Sequence, residues 1–198
     1  MRPLLRIVPL RRPGTAVSEL GDDALIAAAA TADPVARAAL FEHNVDAIHR
    51  FVARMWRGNA EVVDDLVQAT FLAAYRSIGR FRPGGRVRSW LYGIAANVVR
   101  DHARREGRRL RAMSTIADWF RDEPIAAIDP WDRERLARLP EAIDALPHDL
   151  KAVLVLVDLE GQTTREAAAA LEVPEGTIWR RVYHARRRVR ALVDEGRR

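Results

Sequence analysis

Apolar positions recur with a helical period along nearly the whole chain, and no strand-like alternation lasts more than a few residues. Phe41, Val45, Ile48, Val52 and Met55 fall on one stripe of a single helix. Gly58-Asn59 ends that helix, and Asn59 suits the cap of the next, which carries Glu61 in its first turn. Phe81-Arg82-Pro83-Gly84-Gly85-Arg86 reads as a loop, because Pro followed by two Gly does not continue a helix. A long helix is predicted from about Val87 to Arg111, with Leu91, Ile94, Ala95 and Val98 as its buried stripe. Further helices are predicted at Pro140–Leu146, His148–Leu159, Thr163–Leu171 and Pro174–Val193. The expectation is an all-α protein of two small helical domains. A tail occupies residues 1–20, the first domain 21–111, a flexible acidic linker 112–132 and the second domain 133–198. Trp119, Phe120 and Trp131 are apolar enough that part of the linker is expected to dock.

Composition narrows the class. Apolar residues make up 48% of the 198, which excludes a disordered chain. Cysteine is absent, so disulfides, thiolate metal sites and cysteine nucleophiles are excluded. No run nears the ~18 apolar residues of a membrane span, and the N-terminus does not resemble a signal peptide. A cytoplasmic protein without membrane insertion is expected. The five His residues show no metal-ligand spacing, no Ser lies in a G-x-S-x-G context, and Asp64-Asp65 diverge on a helix. Neither catalysis nor a metal or other cofactor is predicted.

The charge is unevenly spread. Residues 1–79 are net neutral, 80–111 carry +8, 112–150 carry −5 and 151–198 carry +3. Lys151 is the only lysine, so a preference for Arg explains the residue type but not the clustering. Two basic blocks around an acidic segment suit polyanion binding.

Three stretches carry candidate chemistry. Thr163-Thr164-Arg165-Glu166 is a capping box, Leu171 to Gly176 a turn, and the next helix buries Ile178, Val182, Ala185, Val189 and Leu192. That leaves Arg180, Tyr183, His184 and Arg187 pointing outward, as in a helix-turn-helix that enters a major groove. On the 87–111 helix, Ser89, Gly93, Ala96, Asn97, Arg100 and Arg104 face away from the apolar stripe, which would let nucleic acid approach. Trp90 and Tyr92 border that face, suited either to stacking on bases or to core packing. Third, Asp64, Asp65, Gln68, Leu72 and Tyr75 share a helix face that fits a basic protein partner or simply water.

Together, Asp64-Asp65-Leu66-Val67-Gln68-Ala69-Thr70-Phe71, the Phe81–Gly85 loop leading to Ser89-Trp90-Leu91-Tyr92-Gly93-Ile94-Ala95-Ala96-Asn97, Leu146 to Gly161, and Thr164 to Arg188 resemble the extracytoplasmic-function (ECF) sigma factors of the sigma-70 family. The resemblance covers about residues 22–110 and 133–193. It implies a transcription initiation factor, of a class often tied to stress responses. Core RNA polymerase would be bound at its clamp helices and flap, the clamp helices through Asp64, Asp65, Gln68 and Leu72. Arg82, Arg86, Trp90, Asn97, Arg100 and Arg104 would read and melt the minus-ten element. Thr177, Trp179, Arg180, Tyr183, His184 and Arg187 would meet the minus-thirty-five element. The acidic linker would thread polymerase near the nascent RNA, and a cognate anti-sigma factor is implied as a partner. Trp179-Arg180 depart from the family's usual Lys or Arg followed by Ser, and His184 stands where Arg is frequent, which leaves the promoter sequence open. Trp179 suits either thymine methyls or packing back on the preceding helix. A stand-alone helix-turn-helix regulator matches only the C-terminal half of this pattern.

Overall fold

A computed structural model describes residues 21–112 and 130–195, with side chains for 21–107 and 137–194. The predicted tail, most of the linker and its Trp119 and Phe120 lie outside the described residues, as does the side chain of Trp131. Among the described residues every regular element is helical.

Helix α1 (Asp22–Ala30) is followed by α2 (Pro34–Met55), which Asp33 caps by accepting the Val35 and Ala36 N–H groups at 2.8 and 3.1 Å. Pro34 at the first turn removes a donor that would lack a partner there. Asn59 caps α3 (Ala60–Ser77), accepting Glu61 N–H at 3.1 Å. A single 3₁₀ turn (Ile78–Arg80) and the Pro83-Gly84-Gly85 loop lead to α4 (Val87–Ala112). Then come α5 (Pro130–Asp144), α6 (His148–Leu154) continued by a π turn (Val155–Leu159), α7 (Thr164–Leu171) and α8 (Glu175–Glu195).

The main core joins α1–α4 to the second domain. Leu40, Ile48, Phe51, Val52, Leu91 and Tyr92 are enclosed together with Leu156 and Ile178. Phe51 and Tyr92 pack ring to ring at 5.0 Å. Each large apolar side chain removed from water contributes about 1.5–3 kcal/mol. A smaller cluster of Ala142, Leu146, Leu154, Ala185 and Val189 holds α5, α6 and α8 together.

Four expectations need correction. On α2, Phe41 is 39% exposed and rests on Phe71 at the core's edge, while Leu40, Asn44, Ala47 and Phe51 face inward beside Ile48 and Val52. Both neighbouring helices α3 and α4 pack on α2, so its buried arc is wider than one stripe. On α4, Leu91 and Ala95 are buried but Ile94 and Val98 only half so, whereas Ser89, Gly93 and Ala96, expected outward, are buried too: α7 packs along α4 with its Ala170 backbone against Gly93, and Ser89 meets Gln162 just before α7. Helix α5 begins at Pro130 rather than at Pro140 and runs through Pro140 to Asp144, with Ala145 N–H on Glu141 O at 2.9 Å. Lastly, the predicted His148–Leu159 helix changes to π geometry at Val155, with Glu160 N–H on Val155 O at 2.9 Å.

Candidate nucleic-acid interface

The helix-turn-helix is built by short-range contacts. In the capping box Glu166 N–H donates to Thr163 Oγ1 at 3.2 Å, and the Glu166 carboxylate accepts Thr163 N–H at 2.8 Å. That backbone N–H, aided by the Thr163 hydroxyl and Arg86 and opposed by partial burial, holds the Glu166 carboxyl below the usual range. Glu172 closes α7 in a left-handed conformation at φ 53°, a position where glycine is usual. Thr164 Oγ1 donates to Glu175 at 2.6 Å, tying the start of α7 to the start of α8.

Ile178, Val182, Ala185 and Val189 anchor α8, and Leu192 is half-buried. The opposite row is open: Trp179 is 62% exposed and Tyr183 63%, with Arg180, His184 and Arg187 exposed beside them and Thr177 half-buried. Trp179 therefore does not fold back on α7. The α8 arginines divide into two sets. Arg186 holds Asp158 with two bonds at 2.5 and 3.0 Å, and Arg181 holds Asp149 at 3.0 Å. Arg180 and Arg187 make no ion pair among the described residues, so they present free guanidinium groups.

The loop before α4 is held from α1. The Asp23 carboxylate accepts Gly84 N–H at 3.0 Å to both oxygens, and Asp22 accepts Val87 N–H at 3.1 Å at the start of α4. Gly84 has φ 76°, where a side chain would be strained. Sequence reading gave Asp22 and Asp23 no role; two carboxylates opening a helix are the only local signal. Arg82 is exposed, and exposed Arg86 reaches Glu166 of α7 at 2.8 Å. Trp90 is half-buried edge-on to Phe81 at 5.5 Å. Asn97 is exposed and accepts a bond from Arg100, which is half-buried, and Arg104 is exposed one turn further on. Tyr92 is not at the edge of a stacking face. It is 1% exposed, and its hydroxyl donates to Glu160 at 2.8 Å; burial, with that carboxylate, pushes its pKa well up.

On α3, Asp64, Asp65 and Gln68 are exposed and Leu72 is 47% exposed, all on one side of the helix. Asp64 pairs with His49 at 3.3 Å. Tyr75 leaves that face: its hydroxyl donates to Arg37 O at 2.9 Å and the Arg37 guanidinium lies 5.3 Å from its ring centre.

Between the domains, Arg54 pairs with Glu160, Arg57 with Asp144 at 3.0 Å, and the Ser89 hydroxyl bonds Gln162 at 2.5 Å. Asp144 also holds Lys151, the single lysine, which is buried. His148 is half-buried. Burial holds its pKa below the ordinary 6.5; Arg100 and Lys151 act the same way, while Asp149 and the Ala96 carbonyl oppose them. An unfolded chain takes up this proton more readily. The stability the site contributes is therefore complete above the ordinary His value and is lost as pH falls through it toward the lower folded value. Acidification from about pH 7.5 to about 5.5 should lower the melting temperature, and His148→Gln should flatten that dependence in a thermal melt.

Among the described residues, no three His, Asp or Glu side chains converge on a metal-sized space, and no helix is long and apolar enough to cross a membrane.

The Sigma-70 region 2 family model matches residues 40–109 and the Sigma-70, region 4 model residues 136–189. The ECF RNA polymerase sigma factor SigM of Mycobacterium tuberculosis is 32% identical over 179 residues, covering 88% of this chain and 86% of that protein. RNA polymerase sigma factor CarQ of Myxococcus xanthus is 35% identical over 156 residues, covering 79% and 88%. The ECF sigma factor SigE of Mycolicibacterium smegmatis is 34% identical over 157 residues, 76% of this chain but only 59% of that longer protein. Among solved structures, CnrH in complex with the cytosolic domain of CnrY superposes with a TM-score of 0.63 at 27% identity, over 88% of this chain and 97% of that one. RpoE from Bartonella quintana, solved with the anti-sigma factor NepR, shares the fold with a TM-score of 0.62 at 24% identity, over 78% and 94%. With both sigma regions in order on an all-helical two-domain fold, the chain belongs to the ECF sigma factors of the sigma-70 family and is a promoter-specific transcription initiation factor that binds RNA polymerase and promoter DNA.

Proposed function

We propose that the chain divides these tasks among three surfaces, with residues 21–111 and 133–198 as the binding domains and 112–132 as the segment joining them. The observation that carries the reading is the exposed row on α8, where Trp179, Arg180, Tyr183, His184 and Arg187 project from a helix otherwise anchored by its apolar side. Such a row, with Thr177 at its start, fits the major groove of the minus-thirty-five element. Asp64, Asp65, Gln68 and Leu72 would meet the clamp helices of polymerase. Arg82, Arg86, Arg100 and Arg104 would hold the phosphates of the minus-ten strand while Trp90 and Asn97 take an unstacked base. Stacking on an aromatic ring is worth about 1–3 kcal/mol per base, comparable to what unstacking costs, so a Trp two turns from an amide on one helix can stabilise an opened strand. The chain would act in the cytoplasm as a non-enzymatic factor, supplying recognition and strand separation while polymerase supplies the chemistry. The RpoE–NepR pair supports an anti-sigma partner for this chain as well.

Run-off transcription with core polymerase tests the assignment on duplex and pre-melted forms of one promoter. Asn97→Ala and Trp90→Ala should cut initiation on the duplex several-fold, and the pre-melted template should restore part of the Trp90→Ala loss. If both variants initiate like the parent chain, α4 does not act on the opened strand.

A further inference from the structure

Arg82-Pro83-Gly84-Gly85 form a β-turn closed by Gly85 N–H on the Arg82 carbonyl at 3.0 Å. Proline in the second position and Gly84 at φ 76° in the third are the marks of a type II turn. The turn's own bond leaves the Gly84 N–H unused. Asp23 takes it from α1, 61 residues earlier, with each carboxylate oxygen 3.0 Å from the nitrogen. A second carboxylate meets the next gap. Arg86, which precedes α4, has no acceptor in its side chain and cannot cap that helix. Asp22 accepts the Val87 N–H at 3.1 Å instead, so α4 is capped from another element. Neither carboxylate caps α1 itself, which starts at Gly21 without a side-chain bond. Buried Leu25, Ile26 and Ala29 anchor α1 independently of both.

We propose that Asp22 and Asp23 are positioning residues for promoter opening: they fix the turn and the start of α4 so that exposed Arg82 is set to meet a phosphate of the minus-ten strand before the strand arrives. The inference rests on reading the loop and α4 as the minus-ten face. Two anions beside a face for a polyanion oppose binding by charge. Their contribution is order, since a loop held in place beforehand loses no freedom when the strand binds. Without the latch, apparent affinity falls with the fraction of loops in the competent geometry.

Holoenzyme assembled with the full chain is titrated with a forked template whose minus-ten segment is single-stranded, across a salt series. Asp23→Ala should bind roughly fivefold more weakly, about the worth of one net hydrogen bond. Its salt dependence should flatten by about 0.7 of a unit of slope, as one single-strand phosphate contact is lost. Charge alone predicts the opposite sign, because the substitution removes an anion from beside the strand. Asp22→Ala should act in the same direction, and Asp23→Asn, which keeps an acceptor for the Gly84 N–H, should bind like the parent. Arg82→Ala should reproduce the loss, and Asp23→Ala added to it should cause no further one. Circular dichroism verifies that each chain is folded. Parent-like affinity and slope in Asp23→Ala, with Arg82→Ala weakened, would overturn the positioning role and leave the face in place. A loss that keeps the parent slope and adds fully to that of Arg82→Ala would make Asp23 a structural residue only. Tighter binding by Asp23→Ala would overturn the proposal as well, by showing that the carboxylate withholds the Gly84 N–H from a phosphate. Parent-like binding by Arg82→Ala would show instead that the loop does not meet the strand, and the reading beneath the proposal would fail with it.

Discussion

An Asp65→Arg chain is expected to bind core polymerase at least tenfold more weakly than the parent while keeping its helical content. Asp65 sits in mid-helix on α3, exposed, and makes no ion pair among the described residues. Its neighbour Asp64 already engages His49 at 3.3 Å. Asp65 is therefore the carboxylate on this face most available to an incoming cation. The fold does not depend on it, because α3 is anchored from its other side by Val63, Leu66, Val67, Thr70, Phe71 and Ala74. Reversal removes one attraction and adds one repulsion, and like charges brought together at an interface cost several kcal/mol. A tenfold loss requires only about 1.4 kcal/mol, so the predicted effect is a lower bound. Leu72, 47% exposed on the same side, supplies apolar contact that reversal leaves in place, so residual binding should persist and weaken further in Asp65→Arg/Leu72→Ala. Titrating labelled core polymerase with each chain measures this. Unchanged affinity in a folded Asp65→Arg variant would move the polymerase contact elsewhere.

What could be read from the sequence was what neighbouring residues decide. The Asn59 cap and the Thr163–Glu166 box are matters of two or three residues, and both occur with the expected partners. The α8 stripe could be read because Ile178, Val182, Ala185 and Val189 all lie on one side of the helix, although two different clusters receive them, and that leaves one outward row. α4 misled because it packs on more than one side: α2 and α3 lie along it, and α7, far along the chain, covers a second face that includes Gly93. A periodic pattern identifies a face that must be buried. It cannot show that a second face of small residues is buried as well, since Ser, Gly and Ala suit water, nucleic acid or another helix equally. Tyr92 and Glu160 illustrate the same limit: each looks amphipathic or solvated alone, and their mutual hydrogen bond, with Arg54 paired to Glu160, offsets their burial. The left-handed Glu172 and the π turn at Val155 carry no local signature at all.

The arginines of α8 yield the sharpest expectation for promoter choice. Four of them lie between residues 180 and 187, and composition alone makes them equivalent. The structure separates them. Arg186 and Arg181 are held by Asp158 and Asp149, and their removal should cost stability or domain integrity before it costs specificity. Arg180 and Arg187 are exposed without such partners, two turns apart on the open row. Base edges are read from the first turns of a recognition helix, while its later residues lie over the backbone. Arg180→Ala should therefore lose about 1–3 kcal/mol at one or two minus-thirty-five positions, the worth of a bidentate contact to guanine, and relax preference only there. Arg187→Ala should weaken all promoters alike and make binding less steeply salt-dependent, by about one unit of slope, because one fewer counterion is released. Selection from a promoter library with each variant, together with binding measured across a salt series, separates the two outcomes. A uniform loss of the same size from both substitutions would make Arg180 a phosphate contact and shift base reading to His184, Tyr183 and Trp179.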